Sequence, residues 1–282
     1  MDENRNSNIS SEHSEELLNI IENFRLMDDT FMSKVFEDKA CAELLLRVIL
    51  NRDDLTVVKV VSQFELKNLQ GRSARLDIYA VDEHGKQYDV EVQRSDDGAA
   101  PRRARYNSSL LDANLLNPGD KFDELPESYI IFITEHDVLK GGKPLYTVNR
   151  TISELDHAIF TDGSHIIYVN GEIRNGTALG ELMQDFFCKD PREMHYTVLS
   201  DRADYFKKDK EGVDTMCKLM EDYADKRARQ AAEAAAEKAA KERSISIATN
   251  LWNKGERDLQ QIADLTDLPL DEVKKLFEGK TA

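Results

Sequence analysis

Between residues 74 and 93 the sequence alternates apolar and polar side chains twice, on either side of a short loop, and this pattern restricts the fold more than any other. In Ala74–Val81, Leu76, Ile78 and Ala80 share one parity, and Arg75, Asp77 and Tyr79 the other. In Gln87–Gln93, Tyr88, Val90 and Val92 alternate with Asp89, Glu91 and Gln93. Strand side chains point to opposite faces in turn, so each run reads as a strand with one apolar and one polar face. Asp82-Glu83-His84-Gly85-Lys86 between them reads as a hairpin loop with glycine near its end. If Val81 pairs with Gln87, the same register sets Asp77 opposite Glu91, with Cβ atoms roughly 5 Å apart. Gln93 then points to the same side. Two facing carboxylates repel unless a cation lies between them. Magnesium binds through one or two carboxylates and keeps waters and phosphates as its other ligands. The same alternation also fits an ordinary hairpin with one face in water, whose acids splay apart. Parity alone leaves both readings open.

The flanking segments give an order of elements. Leu17, Leu18, Ile20, Ile21 and Phe24 form a helical stripe, and Asp28, Asp29 and Thr30 supply cap chemistry for a second helix carrying Phe31, Val35 and Phe36. A further stripe falls at Leu44, Leu45, Val48 and Ile49. Val57–Leu66 is rich in β-branched residues and reads as a strand, followed by a turn over residues 68–71. Residues 99–116 read as a helix ending before Asn117-Pro118-Gly119, and Ser128–Thr134 as a buried strand. More strand-like material follows at Leu145–Val148 and His165–Asn170. Residues 1–13 are polar and expected to fray.

Acids number 54 against 38 Lys plus Arg, a net charge of −16. That balance argues against a nucleic-acid partner unless a local basic patch exists, because phosphate binding rests on Lys and Arg. Cys41, Cys188 and Cys217 are widely spaced and odd in number, which disfavours a disulfide framework or a zinc site. No apolar run approaches the roughly 18 residues of a membrane span, and the N-terminus lacks a basic-then-apolar signal pattern. The expectation is a cytoplasmic protein with no membrane partner. None of the six histidines makes a metal-binding spacing, and no serine sits in a nucleophile elbow.

An Asp on one strand and Glu91-Val92-Gln93 on the next, in the order helix, three strands, helix, strand, resembles the PD-(D/E)XK nuclease superfamily. RSARLDIYAVDEHGKQYDVEVQRSD is similar to its branch of recombination-promoting nucleases and putative transposases, as are DDTFMSKVFED, YNSSLLDANLL and SYIIFITEHDVL. The resemblance covers residues 27–175 well and the tail loosely. It implies an α/β fold, with a restriction-endonuclease-like core built on a mixed sheet and a helical C-terminal extension. It also implies cleavage of DNA phosphodiesters with Mg2+ or Mn2+, Asp77 and Glu91 being metal ligands and Asp77, Glu91 and Gln93 the catalytic set. Gln93 stands where the wider superfamily usually has lysine; an amide carries no positive charge but can orient a water. Leu76 stands where the literal motif has proline. The alternative function is a non-catalytic nucleic-acid-binding or assembly module that keeps the nuclease fold.

Arg94, Arg102, Arg103 and Arg105 cluster just after the acids, with Tyr106 beside them. Arg94, Arg102, Arg105 and Tyr106 are the candidate DNA contacts, and an ordinary solvated helix face explains them equally well. Asp28 or Asp29 could add an acid to the site, against the plainer role of helix cap. Residues 201–243, charged and then alanine-rich, read as one long exposed helix, a connector or loose coiled coil that could support a homo-oligomer. Residues 258–278 read as a helical hairpin, more in keeping with packing or assembly than with reading DNA. The expected division is a lead-in over 1–27, a nuclease-like domain over 28–180, a helical extension over 181–243 and a small helical unit over 244–282.

Overall fold

The computed structural model describes residues 15–68 and 71–278. The polar lead over residues 1–13 lies outside the described residues, as do positions 69 and 70 of the turn after the first strand. Helix α1 runs to residue 23 and is followed by α2 (Asp29–Val35) and α3 (Lys39–Leu50). Asp38 starts α3 by accepting hydrogen bonds from the backbone N–H groups of Ala40 and Cys41, which would otherwise be orphaned. The buried stripe of α3 is Cys41, Ala42, Leu45, Leu46 and Ile49, offset from the expected one because Leu44 and Val48 are only half-buried. On α1, Ile21 is buried, whereas Leu18 and Ile20 are exposed, so the expected apolar face is narrower than the sequence suggests.

Strands β1 (Val57–Leu66), β2 (Ala74–Asp82) and β3 (Gln87–Gln93) form an antiparallel meander. The β2–β3 loop is the expected hairpin. Asp82 Oδ1 accepts from the N–H groups of His84 and Lys86, and Gly85 takes a φ of 80° that suits glycine. Helix α4 (Pro101–Ala113) then carries the chain over the sheet to β4 (Ser128–Thr134), which pairs parallel to β3. Such a parallel pair needs a crossover, and α4 is that crossover. After β5 (Leu145–Val148) and a two-stranded ribbon of β6 (Thr151–Ile152) with β7 (Ala158–Ile159), β8 (Ser164–Asn170) adds parallel to β4. The six-stranded sheet has the order β1-β2-β3-β4-β8-β5 and is mixed, as expected. One face packs under α4, where Tyr79, Ala104, Leu111, Ile130, Phe132 and Tyr168 share a core. The α2 and α3 helices pack against the meander, and α3 also meets α5 (Ala178–Phe187).

The expected single helix over 201–243 is two. Helix α6 (Thr197–Lys208) ends at Asp209, whose backbone is extended, and α7 (Lys210–Asn253) starts at once and runs well past residue 243. Two compact units emerge, residues 1–218 and 219–282. In the second, the end of α7 packs with α8 (Leu259–Thr266) and α9 (Leu270–Phe277) around Ala248, Trp252, Ile262, Val273 and Phe277. The Trp252 and Phe277 rings stack with centroids 4.4 Å apart. Residues 221–243 of α7 are exposed throughout. Among the described residues no helix is long and apolar enough to cross a membrane.

Candidate active site

The β2–β3 ladder pairs Ile78 with Val90 and Val81 with Gln87, the register that brings Asp77 and Glu91 to adjoining places on one face. The pair is tied through the backbone as well: the Val92 N–H donates to Asp77 Oδ2 at 3.0 Å. This face is not in water. Asp77 is 7 % exposed and Asp89 and Glu91 0 %, the latter two reached by Arg103 and Asn107 of α4. Of the two readings that parity left open, the hairpin with one face in water does not hold. The β3 strand is central to the sheet and covered on both sides, so its acids are buried as thoroughly as its valines.

Burial of unpaired carboxylates favours their protonated forms. Asp77 is pushed up to about 8, first by burial, then by the charges of Glu91 and Asp29, while the Val92 N–H and Arg103 pull it down. Asp89 is raised well above the carboxylate range by burial, then by Glu91 and Asp77, with Asn107 and Arg103 opposing. Glu91 is also raised by burial, and Arg103 offsets part of that. Arg103 Nη2 donates to Glu91 Oε2 at 2.6 Å, Gln93 Nε2 donates to the same oxygen at 3.2 Å, and Asn107 Nδ2 reaches Glu91 Oε1 at 3.4 Å. Asn107 also donates to Asp89 Oδ2 at 3.3 Å, while Asp89 Oδ1 has no hydrogen-bond partner among the described residues.

Three members of this site were not singled out from the sequence as site residues. Asp89 shares the parity of Glu91, so its place on the face was visible; its burial was not. Arg103 and Asn107 are four apart and thus on one helix face. The apolar Ala104, Leu110 and Leu111 mark that side of α4 as the one turned to the sheet.

The other candidates separate. Arg102 and Arg105 are exposed on α4. Tyr106 is bound through its hydroxyl to the Arg72 carbonyl and to Asn68 Nδ2, next to the β1–β2 connection. Arg94 pairs with Asp28 at 3.0 Å and Glu135 at 3.3 Å. Asp28 takes the N-cap position of α2 without capping it by its side chain, which accepts instead from the Arg25 N–H at 2.8 Å and from Arg94. Asp29, in the first turn of α2, is exposed, yet its charge is felt by both Asp77 and Glu91.

Among the described residues no group of three or more His, Cys, Asp or Glu is arranged to hold a metal ion. The donor set nevertheless fits a hard divalent cation. It consists of carboxylate oxygens, two of them on paired strands, beside a buried carboxylate oxygen that lacks a partner. Magnesium needs no more than one or two protein carboxylates.

A mixed sheet that buries acids on adjoining strands, beneath the helix that follows them, is consistent with a nuclease-like α/β domain. A family model described as PD-(D/E)XK nuclease family transposase matches residues 31–178, which include every described strand and Asp77, Asp89 and Glu91, but not Asp28 or Asp29. The chain belongs to this family of transposase-associated, nuclease-like proteins. Searches of curated proteins and of solved structures give no match.

Proposed function

We propose that the chain is a metal-dependent DNA endonuclease, associated with mobile elements or recombination, that hydrolyses phosphodiester bonds at the Asp77/Glu91 site. The observation that carries the reading is the burial of these two acids on paired strands, with the Val92 N–H of β3 donating to Asp77 of β2. Asp77 and Glu91 would hold Mg2+ or Mn2+, which when bound supplies an activated water and offsets charge developing on phosphorus. Gln93, whose amide already bonds Glu91, is placed to orient that water. Arg102 and Arg105, exposed on α4, would contact the DNA backbone, with Arg94 and Tyr106 at the margins of the same surface. The chain would work in the cytoplasm and self-associate through its C-terminal helices, whose exposed stretch over residues 221–243 leaves room for a partner.

The non-catalytic reading draws on one specific observation: in this structure Arg103 already neutralises Glu91. Nicking of supercoiled plasmid across magnesium and manganese titrations separates the two. Wild type should nick, and Asp77→Asn and Glu91→Gln should each lose at least about a hundredfold, the scale of removing an electrostatic element of a site. DNA binding without nicking by wild type, in either metal, would establish the binding module instead.

A further inference from the structure

Arg103 is the cation most closely engaged with the buried acids. The contact is lopsided: the Glu91 side chain is fully buried, whereas that of Arg103 is 40 % exposed. One edge of the guanidinium holds Glu91 Oε2 at 2.6 Å, with Nη1 3.4 Å from Gln93 Oε1, and the rest faces outward. Arg103 lies on the side of α4 turned to the sheet and is flanked in sequence by the exposed Arg102 and Arg105. Gln93 is neutral, so the strand itself brings no positive charge to the acids. A carboxylate oxygen held by a guanidinium at hydrogen-bond distance is a poor ligand for a second cation, since the two positive charges repel.

We propose that Arg103 is the exchangeable cation of the site: it clamps Glu91 in the metal-free protein and releases it to grip a phosphate oxygen of DNA once Glu91 ligates a divalent cation. The inference rests on the nuclease reading above. It assigns to α4 the positive charge that Gln93 does not supply. It also gives the ion pair two consequences of opposite sign. Arg103 competes against metal when DNA is absent, and it stabilises the charged phosphate when DNA is present.

Both signs can be read on the full-length protein. Arg103→Gln keeps hydrogen-bonding capacity and removes the charge; Arg103→Lys keeps the charge and loses the planar fork. Mn2+ binding without DNA, followed by the electron paramagnetic resonance signal of free Mn2+, should tighten roughly tenfold in Arg103→Gln, the lower end of what neighbours of metal ligands contribute. Plasmid nicking by the same variant should lose roughly a hundredfold in kcat at saturating metal. Arg103→Lys should recover part of kcat. A merely structural arginine would weaken metal binding and activity together, and that outcome overturns the proposal, as does unchanged Mn2+ affinity or wild-type nicking by Arg103→Gln. The nuclease reading fails in a different way: Asp77→Asn and wild type would then bind Mn2+ equally and neither would nick.

Discussion

Lys207 shows how a single side chain ties distant segments of the first unit together. Its ammonium donates to the backbone carbonyls of Glu22, Phe24 and Lys189, and it lies over the Phe31 ring at 5.2 Å. Burial holds Lys207 down to about 8, while Cys188, Asp190 and Asp28 pull it up and Lys189 pushes it down. The sign of the resulting pH dependence follows from proton counting. Between about 8 and the ordinary lysine value of about 10.4 the unfolded chain holds the proton more tightly than the folded one, so this group adds stability as pH rises. Wild type should therefore gain on Lys207→Met between roughly pH 8 and pH 10 in urea unfolding, a window set by those two values; a constant difference would show that Lys207 does not titrate there. At neutral pH the same variant should be less stable by about 1–3 kcal/mol, because buried carbonyls lose their donor. None of this was legible in the sequence, where Lys207 is one of several charged residues in an amphipathic run. Asp77 and Glu91, by contrast, could be placed face to face from parity and loop length alone. What parity could not give was depth. Whether a strand's polar face meets water depends on what lies over it, and α4 covers this one through Arg103 and Asn107, two residues indistinguishable by type from their solvent-facing neighbours.

At the scale of elements, the pairing of β2 with β3 followed from short-range pattern, because a two-residue period and a tight loop leave little freedom of register, whereas the register of β1 on β2 did not. Nor did the α6–α7 break. Helix-forming residues flank Asp209 on both sides, and a propensity sum carries the helix straight through it. At the break Asp209 caps the start of α7, its Oδ1 accepting from the Glu211 N–H at 3.0 Å, and the end of α6 lies against the first turn of α7, with Gly212 backed directly onto the Tyr205 carbonyl and the Phe206 backbone. A Cβ there would collide with main chain, which cannot swing aside as a side chain would. Gly212→Ala should therefore destabilise the protein by roughly 1–3 kcal/mol, the usual cost of overpacking, despite the better helix propensity of alanine. Thermal denaturation checks this, and a stabilised variant would mean that the two helices meet less closely than described.

At the scale of the molecule, the acid-bearing face belongs wholly to the unit of residues 1–218, and the stretch of α7 over 221–243 buries none of its residues. An alanine-rich helix that buries none of its side chains, with Lys241 paired to Glu272 near its end, opens locally at small cost. Trypsin should cut first at Lys226, Arg227, Arg229 or Lys238, leaving an N-terminal core that unfolds at the same temperature as in the intact chain and retains plasmid nicking. Light scattering on that core and on the full chain tests whether the C-terminal helices mediate association; equal masses relative to chain length would end that idea. The order of segments also bears on how the protein is made. Asp77, Asp89, Glu91, Arg103 and Asn107 all leave the ribosome before any residue of β4, which pairs with β3 on its parallel side, or of β8, which pairs with β4. Until β4 emerges, β3 is an open strand edge in which Gln87 to Val92 are all residues that end up buried. Such an edge is a template for strands of other chains. Slow synthesis should therefore yield aggregates that form through β3 during translation, and slowing translation between residues 93 and 134 should lower the soluble yield without any change to the finished protein.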